Sequence, residues 1–183
     1  YKRPNVSLDG TYDPDNIFAK IIAGGIPCAK VYEDDKILSF MDAFPQTRGH
    51  TLVIPKAPSR NLFDTDPEQL TYVIQKTQTI GAAVRKALDP DGIVITQFNG
   101  TPAGRSVFHL HFHILPRYIG GAMADHASGK MAAMNDLTQQ AAKIQLLERA
   151  LSAAANFKNL DPTIQASLQE EDFLPKIFEM VGA

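Results

Sequence analysis

Asn16 precedes the amphipathic run IFAKIIAGG and can cap it, and glycines 24 and 25 stop it, so the pattern predicts a short helix. AKVYEDD and KILSFMD follow, two β-prone runs that meet at Asp34 and Asp35 and read as a hairpin. HTLVIPK is a third strand ending at Pro55. Asp66 and Pro67 open a long helix on which Leu70, Val73, Ile74, Ile80, Val84 and Leu88 recur at helical spacing as far as DPDG. GIVITQF and SVFHLHFHIL complete five strands. Only one long helix is available as a crossover, so the strands are expected to pair mostly antiparallel, in an α+β fold. After Pro116 a loop, GGAMADHASG, leads to Met134, Leu137, Ala141, Ile144, Leu147 and Leu151, which mark one face of another long helix. A last segment opens with Asp161 and Pro162 and carries an apolar patch of Phe173, Leu174, Ile177, Phe178 and Val181. The pattern divides the chain into a loose arm over 1–15, a domain over 16–120 and a helical extension over 121–183. The extension is too small to fold alone and is expected to pack on the domain or on a second subunit.

Composition narrows the function classes. With 183 residues, 44% apolar and 21% charged, the chain has the makeup of one globular domain with an appendage. Eighteen basic and twenty acidic side chains leave a net charge of -2, so no broad positive surface is available for nucleic acid, although a small nucleotide can still bind locally. The lone Cys28 excludes an internal disulfide and a Cys-x-x-Cys metal pair, which points to a reducing, cytoplasmic setting. No apolar run reaches the roughly 20 residues of a spanning helix, and the polar start does not read as a signal peptide, so no membrane association is expected.

The chemistry is concentrated in FHLHFHILPR, residues 108–117. On a strand, side chains alternate between faces, so His109, His111 and His113 share one face while Phe108, Leu110, Phe112 and Ile114 share the core face. Three imidazoles in register, with no Lys, Glu or Thr among them, are poor composition for a solvated face. A metal site is one reading, with His-x-His chelating and His50 as a further ligand. The isolation of Cys28 and the lack of a nearby acidic residue weigh against it. The other reading is a nucleophilic imidazole whose neighbours hold its tautomer and handle protons. FNGTPAGRS just upstream favours the second. Gly100, Pro102 and Gly104 can turn backbone amides toward an anion, Arg105 adds a positive charge, and the Ser106 hydroxyl can protonate a departing group.

His109-Leu-His111-Phe-His113-Ile-Leu resembles the signature of the histidine triad superfamily, and the resemblance runs from about Ile17 through Tyr118. It implies a five-stranded antiparallel sheet with one long and one short helix, usually in a homodimer whose sheets join, here with a C-terminal helical extension. The nucleotide-binding branch fits best; its members hydrolyse purine nucleoside phosphoramidates and aminoacyl adenylates, and no cofactor or metal is expected in this chain. Carried across, His111 attacks the α-phosphorus to form a nucleotidyl-histidine, which water cleaves to the nucleoside monophosphate (AMP or GMP). His113 contacts the phosphate and assists departure with Ser106, and His109 positions the row with His50 as its neighbour. Asn99, Gly104 and Arg105 hold the phosphate, Asp42 accepts from the ribose, and Ile17, Phe18, Ile21, Phe40 and Leu52 form the slot for the base. The chain departs from the pattern at several points, among them Pro58, where many relatives have a histidine just after VIPK, and the domain end ILPRY in place of a Trp-Pro-Pro-Gly close. Asn16 and Ala19 stand where many bacterial members carry the Cys-x-x-Cys of a structural zinc site, which is expected to be absent. Arg105 replaces a common Gln, which favours more anionic substrates such as dinucleoside polyphosphates. The segment from Gly120 onward is longer than in a minimal member. A dinucleoside polyphosphate hydrolase and a non-catalytic nucleotide-sensing or partner-binding module are the alternatives.

Overall fold

A computed structural model describes residues 8–122, 124, 130–163 and 165. Asn16 Oδ1 accepts the amides of Phe18 and Ala19 and so starts helix α1, Ile17–Ile22, which Gly24 ends at φ +78°. Strands β1 (Lys30–Glu33) and β2 (Ile37–Met41) form the expected hairpin, closed by Asp34 Oδ1 accepting the amides of Lys36 and Ile37. Strand β3 is Thr51–Pro55. Asp66 caps helix α2, Pro67–Leu88, and Asp89 ends it in the left-handed region. Strands β4 (Gly92–Thr96) and β5 (Phe112–Arg117) complete the sheet, and helix α3 spans Met134–Lys158. The order is β1-β2-β3-β5-β4, and every pairing is antiparallel.

Each face of the sheet carries its own apolar cluster. Ile37, Val53, Leu110, Phe112 and Ile114 pack against Val73, Ile80 and Val84 of α2 and Leu137 and Ile144 of α3. On the other face Leu38, Phe40, Leu52 and Ile54 pack against Phe18 of α1. Strand β2 is therefore buried at all five positions, and it reads in sequence as an almost continuous apolar run. The two sheet edges differ. Helix α3 lies along β1, where Gln145 Nε2 donates to the Lys30 carbonyl at 2.6 Å. At the β4 edge Val94 and Ile95 are 43% and 46% exposed. None of the helices among the described residues is long and apolar enough to cross a membrane.

Three expectations change. The last strand begins at Phe112, not near Ser106, so His109 and His111 precede the ladder. Pro55 has no N–H to give it and uses its carbonyl on the His109 ring, while the Leu110 amide turns to Ser59 O at 2.7 Å. Ile74 is 44% exposed, on the side of α2 that borders Ile95. Phe108 lies outside the core cluster and carries the guanidinium of Arg60 over its ring. The apolar patch at Phe173–Val181 falls outside the described residues.

Candidate active site

The extended chain through 109–113 still alternates. His109, His111 and His113 are each at most 2% exposed and lie opposite Leu110 and Phe112. Their protons follow from their partners. The His109 carbonyl can only accept, so the 2.6 Å contact to His111 Nδ1 puts the proton on Nδ1 and leaves a lone pair on Nε2. The Gln46 amide can only donate, and it reaches His50 Nδ1 at 3.2 Å with hydrogen-bond geometry, closer than the Asp42 carboxylate, whose Oδ2 stands 3.4 Å from the same nitrogen. His50 therefore carries its proton on Nε2 and donates it to His113 Nδ1 at 2.9 Å. His113 in turn keeps its proton on Nε2. His109 Nε2–H donates to Pro55 O at 2.8 Å, and the Tyr12 hydroxyl donates to His109 Nδ1 at 2.7 Å. One row thus holds an acceptor nitrogen on His111 beside a donor nitrogen on His113, with ring centres 4.8 Å apart. Burial first, and the His113 ring second, push the His111 imidazole well below its ordinary value of 6.5. Burial also lowers His109.

His111 and His113 line a cleft of about 360 Å³ on the α1 side of the sheet. Ile17, Phe18, Ile21, Phe40 and Leu52 all contribute to its apolar wall, Asp42 sits on its rim, and Ser106 stands beside the histidines. Phe18 meets the His111 ring edge-on, with centres 5.1 Å apart. Sequence reasoning missed Cys28, Phe44, Met134 and Leu137, which line the same cleft. Met134 and Leu137 come from the first turn of α3, so the extension supplies part of the wall. A neutral imidazole with its Nδ1 held and its Nε2 unprotonated can attack an electrophile, and the apolar walls suit a flat ring.

Other residues sit differently. His50 neighbours His113 rather than His109. The register pairs Leu52 with His113, which places His50 on the same face near that end, while His109 lies at the other end against Pro55. The amide cradle at 100–105 is not formed: Ala103 and Arg105 donate to Gly100 O and Gly104 donates to Thr101 O, closing a 3₁₀ turn. Gly104, Arg105 and Asn99 do not line the cleft. Arg105 is 1% exposed; its Nε donates to Val107 O and its Nη1 to Asn61 Oδ1. Asn99 Oδ1 accepts from the Leu62 amide and from Gln97. Asp42, His50 and His113 offer donor atoms within 4.8 Å of one another, the spacing of a metal site. A cation held there through His50 would displace its contact to Gln46 or to His113.

The family model for the HIT domain matches residues 23–120. Protein hit of Bacillus subtilis is 47% identical over 102 residues, which are 56% of this chain and 70% of that protein. Adenylylsulfatase HINT3 of Arabidopsis thaliana is 40% identical over 107 residues, covering 58% of this chain and 54% of the relative. Among solved structures, a Hit-like protein of Bartonella henselae, described as involved in cell-cycle regulation and holding an unknown ligand, is 46% identical. It superposes with a TM-score of 0.70 over 75% of this chain and 99% of its own.

Proposed function

We propose that this chain, which belongs to the HIT domain family, hydrolyses purine nucleoside phosphoramidates or aminoacyl adenylates through a covalent nucleotidyl-histidine at His111. The observation that carries the reading is the ordered set of protons: Nε2 of His111 is an acceptor and Nε2 of His113 a donor, both at the wall of one cleft with an apolar slot beside them. His111 Nε2 forms a bond to the α-phosphorus, and the bond to the leaving group breaks with its electron pair on the departing atom. An amine leaving group needs a proton, which His113 Nε2–H or the Ser106 hydroxyl supplies. Water then cleaves the phosphorus–nitrogen bond and returns His111. His109 holds the row through its carbonyl, and His50 keeps His113 in the donating tautomer. Asp42 on the rim takes the ribose hydroxyls, and Ile17, Phe18, Ile21, Phe40 and Leu52 take the purine. Contact of Asn99, Gly104 or Arg105 with the phosphate requires this stretch to rearrange, because the Asn99 side chain, the Gly104 amide and the Arg105 guanidinium already have other partners.

The oligomer belongs to the same reading. Ile95 on the open β4 edge, with Ile93 and with Ile74 of α2 around the same depression, forms an apolar strip that a second copy can cover by extending the sheet.

The test is a single-turnover incubation with adenosine 5′-phosphoramidate and, separately, a diadenosine polyphosphate, with chelator present, followed by intact-protein mass analysis. Wild type is expected to form an adenylyl adduct or release adenosine monophosphate. His111→Ala is expected to do neither while still binding the monophosphate. Turnover that survives His111→Ala, or that chelator abolishes, refutes the covalent reading.

A further inference from the structure

The cleft runs across the sheet. His113 pairs with Leu52, Leu52 with Phe40 and Phe40 with Lys30, so one row of positions leads from the histidines over β3 and β2 toward the start of β1. Cys28, just before β1, packs against the same cluster as Phe40 and Leu52. Three strand spacings, about 14 Å, therefore separate the histidine end of the cleft from the Cys28 end. With the phosphate at His111 and the ribose at Asp42, the Cys28 end is left to the edge of the base farthest from the sugar. We propose that Met134, the first residue of α3, is a specificity-determining residue that closes this end and sets how long a ring system the slot accepts. The proposal rests on the reading of the cleft as a nucleotide site and gives the helical extension a part in choosing the base.

Met134 and Leu137 lie three residues apart and so share one face of the helix. Leu137 is buried in the core cluster, while Met134, one turn nearer the helix start, stands 42% exposed on the cleft wall. Phe44 and Ile17, which also line the cleft, are exposed to a similar degree. Large apolar side chains from three separate segments thus meet at one apolar cleft, where a flat ring would cover them. Their places are tied together. The Ala132 amide donates to the Ala43 carbonyl at 2.9 Å, and the Gly49 amide donates to Gln140 Oε1 at 2.9 Å. The start of α3 is therefore fastened at two points to the 42–50 segment, which carries Asp42 and His50.

The chemistry of this end selects by shape. Its walls are Ile26, Pro27, Cys28, Ala29, Met134 and Leu137, so the thiol is its only polar side chain. Burial, the largest influence on that thiol, pushes it above its ordinary value and keeps it uncharged at neutral pH. A wall of this kind reads the length of a ring and not the donors and acceptors along its edge. Sulfur is polarisable and makes favourable contacts with ring edges. Met134 is the longest side chain in the wall, so truncating it changes the length of the slot most.

The experiment compares adenosine 5′-phosphoramidate with its ethenoadenosine analogue, in which a third ring is fused to the edge of adenine farthest from the sugar. Both are turned over by wild type, Met134→Ala and Met134→Leu. Position 134 is part-exposed and alanine favours a helix, so the truncated variant keeps the fold. In Met134→Ala the ratio of kcat/KM for the etheno substrate to that for the adenosine substrate is expected to rise about 10-fold or more, the range of small changes in an apolar pocket. The rise is expected in KM, with kcat within about twofold, because Met134 acts on binding and not on the reacting atoms. Met134→Leu, close to the native volume, is expected to keep the wild-type ratio within about threefold. A second arm needs no turnover: adenosine monophosphate and etheno-adenosine monophosphate are titrated calorimetrically into the same three proteins, and the ratio of their dissociation constants is expected to shift in the same way. A ratio unchanged in Met134→Ala, or shifted equally in Met134→Leu, overturns the proposal. Wild type that binds the monophosphates and hydrolyses neither substrate defeats the nucleophile reading, and the binding ratio still decides Met134. Wild type that binds neither monophosphate overturns both.

Discussion

Tyr12→Phe removes one hydroxyl and keeps the ring. In the fold that hydroxyl donates to His109 Nδ1 at 2.7 Å, and the rings meet edge-on with centres 5.6 Å apart. His109 is completely buried. Its proton cannot move to Nδ1 in compensation, because Nε2 faces the Pro55 carbonyl, which only accepts. The variant therefore leaves a buried acceptor without a donor, at a cost of about 1–3 kcal/mol. The edge contact is retained, so the loss belongs to the hydroxyl. The His109 carbonyl holds His111 Nδ1, and a loosened His109 lets the His111 ring drift. Under the proposed mechanism kcat falls about 3- to 10-fold, because misplacement of a reacting group acts on the chemical step. KM is expected to stay within about twofold, since Tyr12 does not line the cleft. Urea unfolding gives the stability, and steady-state hydrolysis of adenosine 5′-phosphoramidate gives kcat and KM. Tyr12→Ala, which also removes the ring, is expected to be worse on both counts. Unchanged stability together with unchanged kcat in Tyr12→Phe refutes the argument. A loss confined to KM refutes the positioning role.

Burial lowers His109 and His111 below 6.5, so as pH falls below that value the unfolded chain takes up protons that these two do not. Stability is expected to decline as pH drops below about 6.5 and, on their account, to stay level above it; thermal melts at pH 5 and 7 with equal midpoints contradict this. The acid limb of kcat/KM is likewise expected to lie below 6.5, because the lowered His111 takes up its proton only at more acid pH. Gly49 adopts φ +88°, and a Cβ there would overlap Leu88 Cδ1 and sit 3.0 Å from Pro116 Cγ. Gly49→Ala is expected to cost about 2–4 kcal/mol in urea unfolding, from backbone strain and overpacking together, and a loss below about 0.5 kcal/mol contradicts this. Ile95→Lys, on the open β4 edge, is expected to turn a dimer into a monomer by light scattering, and an unchanged mass removes the proposed interface.

Secondary structure was legible where single residues punctuate it. Asn16 and Asp66 announce two helix starts, and Asp34 announces a hairpin. Phe18, Phe40 and Leu52 were grouped only through the family resemblance, and the fold packs them in one cluster. Contacts that depend on register were not legible. His50 was assigned to His109, and only the pairing of Leu52 with His113 places it at the other end of the row. FNGTPAGRS reads equally well as an anion cradle or a tight turn, and the three amides used inside the turn distinguish the two. Tyr12 carries no local signal. Its role comes from an arm folded back across the chain, to a partner 97 residues away.

Helix α3 has a consequence beyond the cleft it helps to wall. By lying along β1 it leaves β4 as the more open side of the sheet among the described residues. A second copy joined at β4 turns its own covered β1 outward, and a third copy finds no strand to add to. In the proposed dimer, assembly then closes at two, by a symmetric contact that satisfies itself. A sheet with both sides open would instead template a chain of copies without end, and one helix laid across one strand is the stop signal.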